Sequence, residues 1–172
     1  MRLFLSLELS SETVRKIKKW RKPLEEKYPA LSWTSEAQLH ITLRFLGNRT
    51  PEQVKEEMNS LQLPGFLPVE YALNRTGKFG EPPSVLWLSG EFSPQVFSLA
   101  RSLGSIPDER GETSQAEHFT PHITLARIKR EVKSPNIRFN GRIDGTGSAV
   151  HLVRSRLDCV GASYETLYSI FS

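Results

Sequence analysis

His40-Ile41-Thr42-Leu43 returns 82 residues later as His122-Ile123-Thr124-Leu125. On a β-strand, side chains i and i+2 share a face, so each copy turns its His and Thr one way and its Ile and Leu into a core. Each motif then offers an imidazole with a hydroxyl beside it. A single histidine on such a strand is most simply a satisfied core residue. Two copies in the same register call for a chemical reason.

The offset extends outward from the motifs. Leu3 maps onto Val85, Ser11 onto Ser93, Val14 onto Val96 and Ile17 onto Leu99. Each half gives an apolar stretch, a Ser suited to cap a helix, apolar residues at helical spacing, and then the motif strand. This reads as an internal duplication of a strand-helix-strand unit. Two halves related by a pseudo-twofold axis would bring their motifs face to face across one cleft, an arrangement that suits a reaction needing both a proton donor and a proton acceptor.

Between the motifs the elements are well punctuated. Leu3, Leu5 and Leu7 alternate as an opening strand; Ser11 with Glu12 starts a helix striped by Val14, Ile17 and Trp20, which Pro23 ends or kinks. The first motif strand runs from His40 to Leu46 and closes at Gly47-Asn48. Thr50, Pro51 and Gln53 form a capping box before a helix lined by Val54, Met58 and Leu61, which Pro64-Gly65 ends. Val69 to Asn74 reads as a strand, residues 75–83 as a loop and Val85 to Leu88 as a strand. Ser93-Pro94 opens a helix carrying Val96, Phe97, Ala100 and Leu103, stopped by Gly104. The polar stretch from Ile106 to Glu117 is a loop. The second motif strand is entered through Pro121 and runs to about Lys129, and two last strands cover Ala149–Leu157 and Ala162–Phe171. The stretch from Arg130 to Gly147 is polar and carries no assignment. The expected fold is α+β: bilobal, internally duplicated, with mainly antiparallel sheets lining a central cleft and helices outside, in one two-lobed domain over residues 1–172.

At 172 residues and 38% hydrophobic content the chain can bury one good core. No segment approaches a membrane span, and the opening Met1–Glu8 is too short and too soon polar for a signal peptide. The single Cys159 excludes an internal disulfide framework, fits a reducing cytoplasm and reads as a small buried apolar residue. The net charge of +4 favours an anionic partner. Six cations, Arg15, Lys16, Lys18, Lys19, Arg21 and Lys22, crowd the first helix, as a solvated face or as a contact for an RNA backbone.

Two histidines facing one cleft, without a recognisable Ser or Cys nucleophile motif, favour concerted acid-base catalysis. An unperturbed imidazole pKa of about 6.5 allows one neutral and one charged ring near neutrality. A hydroxyl two residues along, Thr42 or Thr124, can bond a phosphate oxygen where negative charge develops. The pattern points to phosphoryl-transfer chemistry at a phosphodiester without a metal or other cofactor. Zinc would want three or four ligands, and the only histidines are His40, His118, His122 and His151; Pro121 disfavours a helix joining His118 to His122. Arginine supplies the bidentate phosphate grip. Arg44 continues the parity of His40 and Thr42 toward the cleft. Arg127, five residues after His122, reaches the site only if its strand bulges or ends first.

At these residues the chain resembles a known family. His40 to Gly47 and Pro121 to Arg127 are similar to the paired HxTx signatures of the two-histidine phosphoesterases, specifically the LigT-like RNA 2′,3′-cyclic phosphodiesterases, long named 2′-5′ RNA ligases. Val85–Leu88 and the stretch from Leu152 to Tyr164 resemble that family's other strands, so the likeness spans nearly the whole chain. The resemblance implies a bilobal fold and opening of a terminal 2′,3′-cyclic phosphate on RNA to a 2′-phosphomonoester, with joining of tRNA halves in the reverse sense. It implies His122 as the base that activates water, His40 as the acid on the departing 3′ oxygen, Thr42 and Thr124 on the phosphate, and Arg127 there too. The expected enzyme is a cytoplasmic monomer with RNA ending in 2′,3′-cyclic phosphate as its partner and no membrane. Competing expectations are an enzyme for small cyclic phosphates, such as ADP-ribose 1″,2″-cyclic phosphate, or for 2′-5′ oligoadenylates, and a non-catalytic RNA-binding module. Two complete HxT copies speak against the last.

Overall fold

The computed structural model describes residues 2–158 and 161–172, so the reading of Cys159 lies outside the described residues. The strands are β1 (Arg2–Leu7), β2 (Ser32–Trp33), β3 (Ile41–Gly47), β4 (Val69–Phe79), β5 (Val85–Phe92), β6 (Ile123–Arg127), β7 (Ile143–Gly147), β8 (Ala149–Asp158) and β9 (Gly161–Phe171). The helices are α1 (Ser11–Lys27), α2 (Pro51–Ser60) and α3 (Gln95–Gly104). Among the described residues all strand pairs are antiparallel and form one sheet in the order β7-β4-β5-β6-β3-β1-β8-β9, with β2 on β6.

That order is a repeat. The run β3-β1-β8-β9 is matched by β6-β5-β4-β7, and the two runs join where Ile41 faces Ile123, two residues related by the motif offset. Both isoleucines are fully buried, as the alternation required. The first strands align one residue differently from the linear mapping. Leu7 faces Ile41 and Leu88 faces Ile123, so Leu5 is equivalent to Leu86 and Phe4, not Leu3, to Val85. Pairing with the motif strand sets this register, and a constant sequence offset does not.

The helices interlock the halves. α1 lies against β7, with Tyr71 Oη of β4 donating to Thr13 Oγ1 at 3.0 Å, while α3 lies against β3. Each half's helix therefore covers strands of the other half. Ile17, Val96, Leu99 and Leu103 pack with Leu5, Leu7, Ile41, Leu86, Leu88 and Ile123 in one core.

Several local expectations change. Ser10, not Ser11, caps α1, its Oγ accepting from Thr13 N at 3.2 Å. Pro23 sits inside α1, which continues to Lys27; the missing N–H there is outweighed by tertiary packing of the stripe of Thr13, Ile17 and Arg21. Thr50 makes no side-chain cap, although Pro51 does open α2. The hairpin after Val69 is longer than its turn-forming residues suggested, because Arg75 to Phe79 pair with Val85 to Ser89. β7 went unread because Ile143-Asp144-Gly145-Thr146-Gly147 is short and polar. A Cβ at Gly145 would stand 2.3 Å from Thr13 Oγ1 and 2.6 Å from the Tyr71 ring, so only glycine lets this edge strand approach α1.

The cations of α1 are mostly engaged. Arg15 and Lys16 pair with Glu12 and Lys18 with Glu36, while Arg21 is buried, paired with Glu25 and placed 5.8 Å over the Trp33 ring. Arg15 and Lys18 lie exposed and Lys16 partly so, as on a solvated face, whereas Arg21 departs from that reading because it packs into the fold.

Candidate active site

The two motif strands share a defect as well as a sequence. On β3, Ser6 faces Thr42 but Leu5 faces Arg44, so Leu43 is an extra residue; on β6, Trp87 faces Thr124 but Leu86 faces Ala126, so Leu125 is extra. Each copy bulges at the leucine of its tetrapeptide, and a bulge reverses the parity of everything after it. Leu43 and Leu125 both stay buried. The residue after each bulge turns to the core side, and the next one turns to the face of the His and Thr.

This decides the two arginines in opposite ways. The expectation that Arg44 faces the cleft is corrected: its guanidinium donates to the carbonyls of Glu112 at 2.7 Å and Ile106 at 3.5 Å, tying the loop after α3 to β3. Phe45 takes the cleft face instead, 6.2 Å from Phe4 and 71% exposed. In the second half the same reversal buries Ala126 and places exposed Arg127 on the side of His122 and Thr124.

The histidines are held alike. His40 Nδ1 is 2.7 Å from Gln38 O and His122 Nδ1 is 2.7 Å from Thr120 O, again one residue pair related by the offset. A carbonyl only accepts, so Nδ1 carries the hydrogen in both rings and Nε2 is the working nitrogen. Nε2 of His40 lies 2.9 Å from Thr42 Oγ1. Gln38 is itself braced by donation from its Nε2 to the carbonyl of Ala162, at the start of β9. Ser89 Oγ donates to Pro121 O at 2.6 Å, fixing the backbone just before His122.

Around the rings the halves differ. Phe4 stacks on His40 with centroids 5.0 Å apart, and Tyr164 meets it edge-on at 5.7 Å. Phe79 meets His122 edge-on at 4.8 Å and packs on Trp87 at 5.4 Å. Burial in this shell holds the His40 pKa below the ordinary histidine value; the Gln38 carbonyl opposes the shift and the charge on His122 adds to it.

Sequence reasoning missed Phe4, Tyr164, Phe79 and Trp87. They come from four other strands, and no local pattern marks them. His118 is exposed on a turn, and His151 sits on β8 with Nδ1 2.7 Å from Ser169 Oγ and Nε2 3.9 Å from Glu8. Among the described residues no group of three or more His, Cys, Asp or Glu side chains is arranged to hold a metal ion, and no helix is long and apolar enough to cross a membrane.

Known proteins share this architecture. A family model described as LigT like Phosphoesterase matches residues 7–87. A protein of Methanocaldococcus jannaschii named RNA 2′,3′-cyclic phosphodiesterase is 26% identical over 178 residues, covering 97% of this chain and 98% of that one. Among solved structures, TT0787 of Thermus thermophilus superposes with a TM-score of 0.80 at 26% identity, covering 99% of this chain and 97% of that one. E. coli LigT in apo form does so with 0.77 at 25%, covering 99% and 96%, and it has also been solved with 3′-AMP (0.71, 26%, 99% and 96%). The chain is thus similar to the LigT-like phosphoesterases over nearly its whole length.

Proposed function

We propose that the protein is an RNA 2′,3′-cyclic phosphodiesterase that opens terminal 2′,3′-cyclic phosphates to 2′-phosphomonoesters by acid-base catalysis between His40 and His122. The observation that carries this reading is the paired anchoring of both Nδ1 atoms to carbonyls two residues upstream, which leaves Nε2 as the working nitrogen of each ring. The names of the relatives agree with it. His122 Nε2 takes a proton from water as its oxygen attacks phosphorus; the P–O3′ bond breaks, and His40 Nε2–H gives its proton to the departing 3′ oxygen. Thr42, Thr124 and Arg127 hold the phosphate oxygens as charge develops. Arg44 has no part in this, its Nη2 donating to the carbonyls of Ile106 and Glu112 on the other side of the strand. With a 5′-hydroxyl in place of water as the nucleophile, the same transfers join it to the cyclic end as P–O3′ breaks, the 2′-5′ ligation of tRNA halves.

The test is incubation with an oligonucleotide ending in a 2′,3′-cyclic phosphate in the presence of EDTA, with phosphorus NMR of the product. A 2′-monophosphate formed in EDTA is expected. No hydrolysis at all would refute the function, a requirement for an added divalent ion would refute the metal-free mechanism, and a 3′-phosphate would reverse the geometry of attack.

Arg127→Lys keeps the charge and loses the bidentate fork. We expect kcat/KM to fall by about 10-fold or more. A phosphate-bound structure with Arg127 turned away would contradict this role.

The pH dependence follows from the direction of the His40 shift. In the free protein burial disfavours charged His40, so the alkaline limb of kcat/KM, which reports the free acid, should fall below the ordinary histidine value of about 6.5. A bound phosphate monoanion favours the imidazolium and raises that pKa. The alkaline limb of kcat should therefore lie at higher pH than that of kcat/KM. Coincident limbs would show that the anion does not recharge His40. The apparent values belong to the coupled pair.

A further inference from the structure

The two halves differ beside their histidines. Opposite Thr42 β1 carries Ser6, whereas opposite Thr124 β5 carries Trp87. One strand further out the sizes invert, with His151 across from Ser6 and Gly77 across from Trp87. A Cβ at Gly77 would stand 2.1 Å from the indole, so the second half is packed full there. The first half instead leaves a cavity of about 260 Å³ adjoining His40.

Phe4, Ser6, Glu8, Glu36, His151 and Tyr164 line this cavity together with His40, and among the described residues no lysine or arginine does. Two carboxylates and no lysine or arginine make it a poor phosphate site. Its volume lies below the range of about 300–1,000 Å³ that takes a whole drug-sized ligand, which suits a single ring system. Glu36 is engaged by Lys18 at 2.8 Å. Glu8, with His151 Nε2 3.9 Å away, is an acceptor-only group at the cavity wall.

We propose that this cavity is the subsite for the base of the nucleotide whose phosphate lies between His40 and His122, and that Glu8 selects bases bearing an exocyclic amino group. The inference rests on the phosphodiesterase reading, which sets the ribose at His40. Cytosine offers its N4 amino group where uracil offers O4, an acceptor facing a carboxylate. A site built to bond an amino group rejects the analogue that lacks it.

The test compares cytidine and uridine 2′,3′-cyclic phosphates as substrates, and cytidine and uridine 2′-monophosphates by calorimetric binding, for the wild type and Glu8→Gln. The wild type should favour cytidine by about 10-fold, the lower end for a hydrogen bond to a charged, half-exposed group. Glu8→Gln should bring the ratio near one, since its amide can also donate to O4. Equal use of the two nucleotides by the wild type, or an unchanged ratio in Glu8→Gln, overturns the subsite while hydrolysis itself leaves the phosphodiesterase reading standing. If neither cyclic phosphate is hydrolysed, that reading fails, and the calorimetric ratio still decides the subsite in the same way.

Discussion

His122→Ala is expected to lower kcat on a 2′,3′-cyclic phosphate by about 10²- to 10⁴-fold, and His40→Ala by a similar factor, since each removes one proton-transfer partner. Both side chains are only partly buried and spend their Nδ1 on a backbone carbonyl, so neither truncation should unfold the protein. The double variant should be little slower than either single one, because the pair acts as a unit. Single-turnover rates with circular dichroism on each variant check this. Turnover near the wild-type rate in either single variant would end the two-histidine mechanism.

Ile41→Ala and Ile123→Ala are each expected to destabilise the protein by about 2–5 kcal/mol, the range for deleting buried branched side chains. The two residues are fully buried and make the one Cα pairing between the motif strands among the described residues. The cost should therefore appear in function as well. At temperatures where the variants remain folded, kcat should fall, because the strands that carry the two imidazoles lose the contact that registers them. Because the residues touch, their effects should not be additive, and a double-mutant cycle in urea measures the coupling. A loss below about 1 kcal/mol in both variants would show that the halves are held together elsewhere.

The duplication, the two histidines, the threonines beside them and the α+β antiparallel character were legible in the sequence. Period-two and period-3.6 patterns are local, and a repeated tetrapeptide needs no tertiary knowledge to be seen. Helix ends were less legible. Ser10 rather than Ser11 takes the cap, and α1 runs past Pro23, because packing across the fold outweighs a local signal of about 1 to 3 kcal/mol. β7 was hidden by composition, its two glycines being demanded by Thr13, Tyr71 and Leu7 from elsewhere in the chain.

The arginines show the division most plainly. Strict alternation puts Arg44 in the cleft and Arg127 outside it, unless the strand of Arg127 bulges or ends first. The structure has that bulge at Leu125 and its twin at Leu43. Sequence alone determined that the two histidines and their threonines share matching strand faces, because their identities and spacing set those faces. Only the tertiary structure decided which arginine shares their face, because a bulge is fixed by how two strands pair and leaves no mark in the residues of one. It likewise decided the surroundings of each imidazole, since Phe4, Tyr164, Phe79 and Trp87 arrive from strands far apart in the chain.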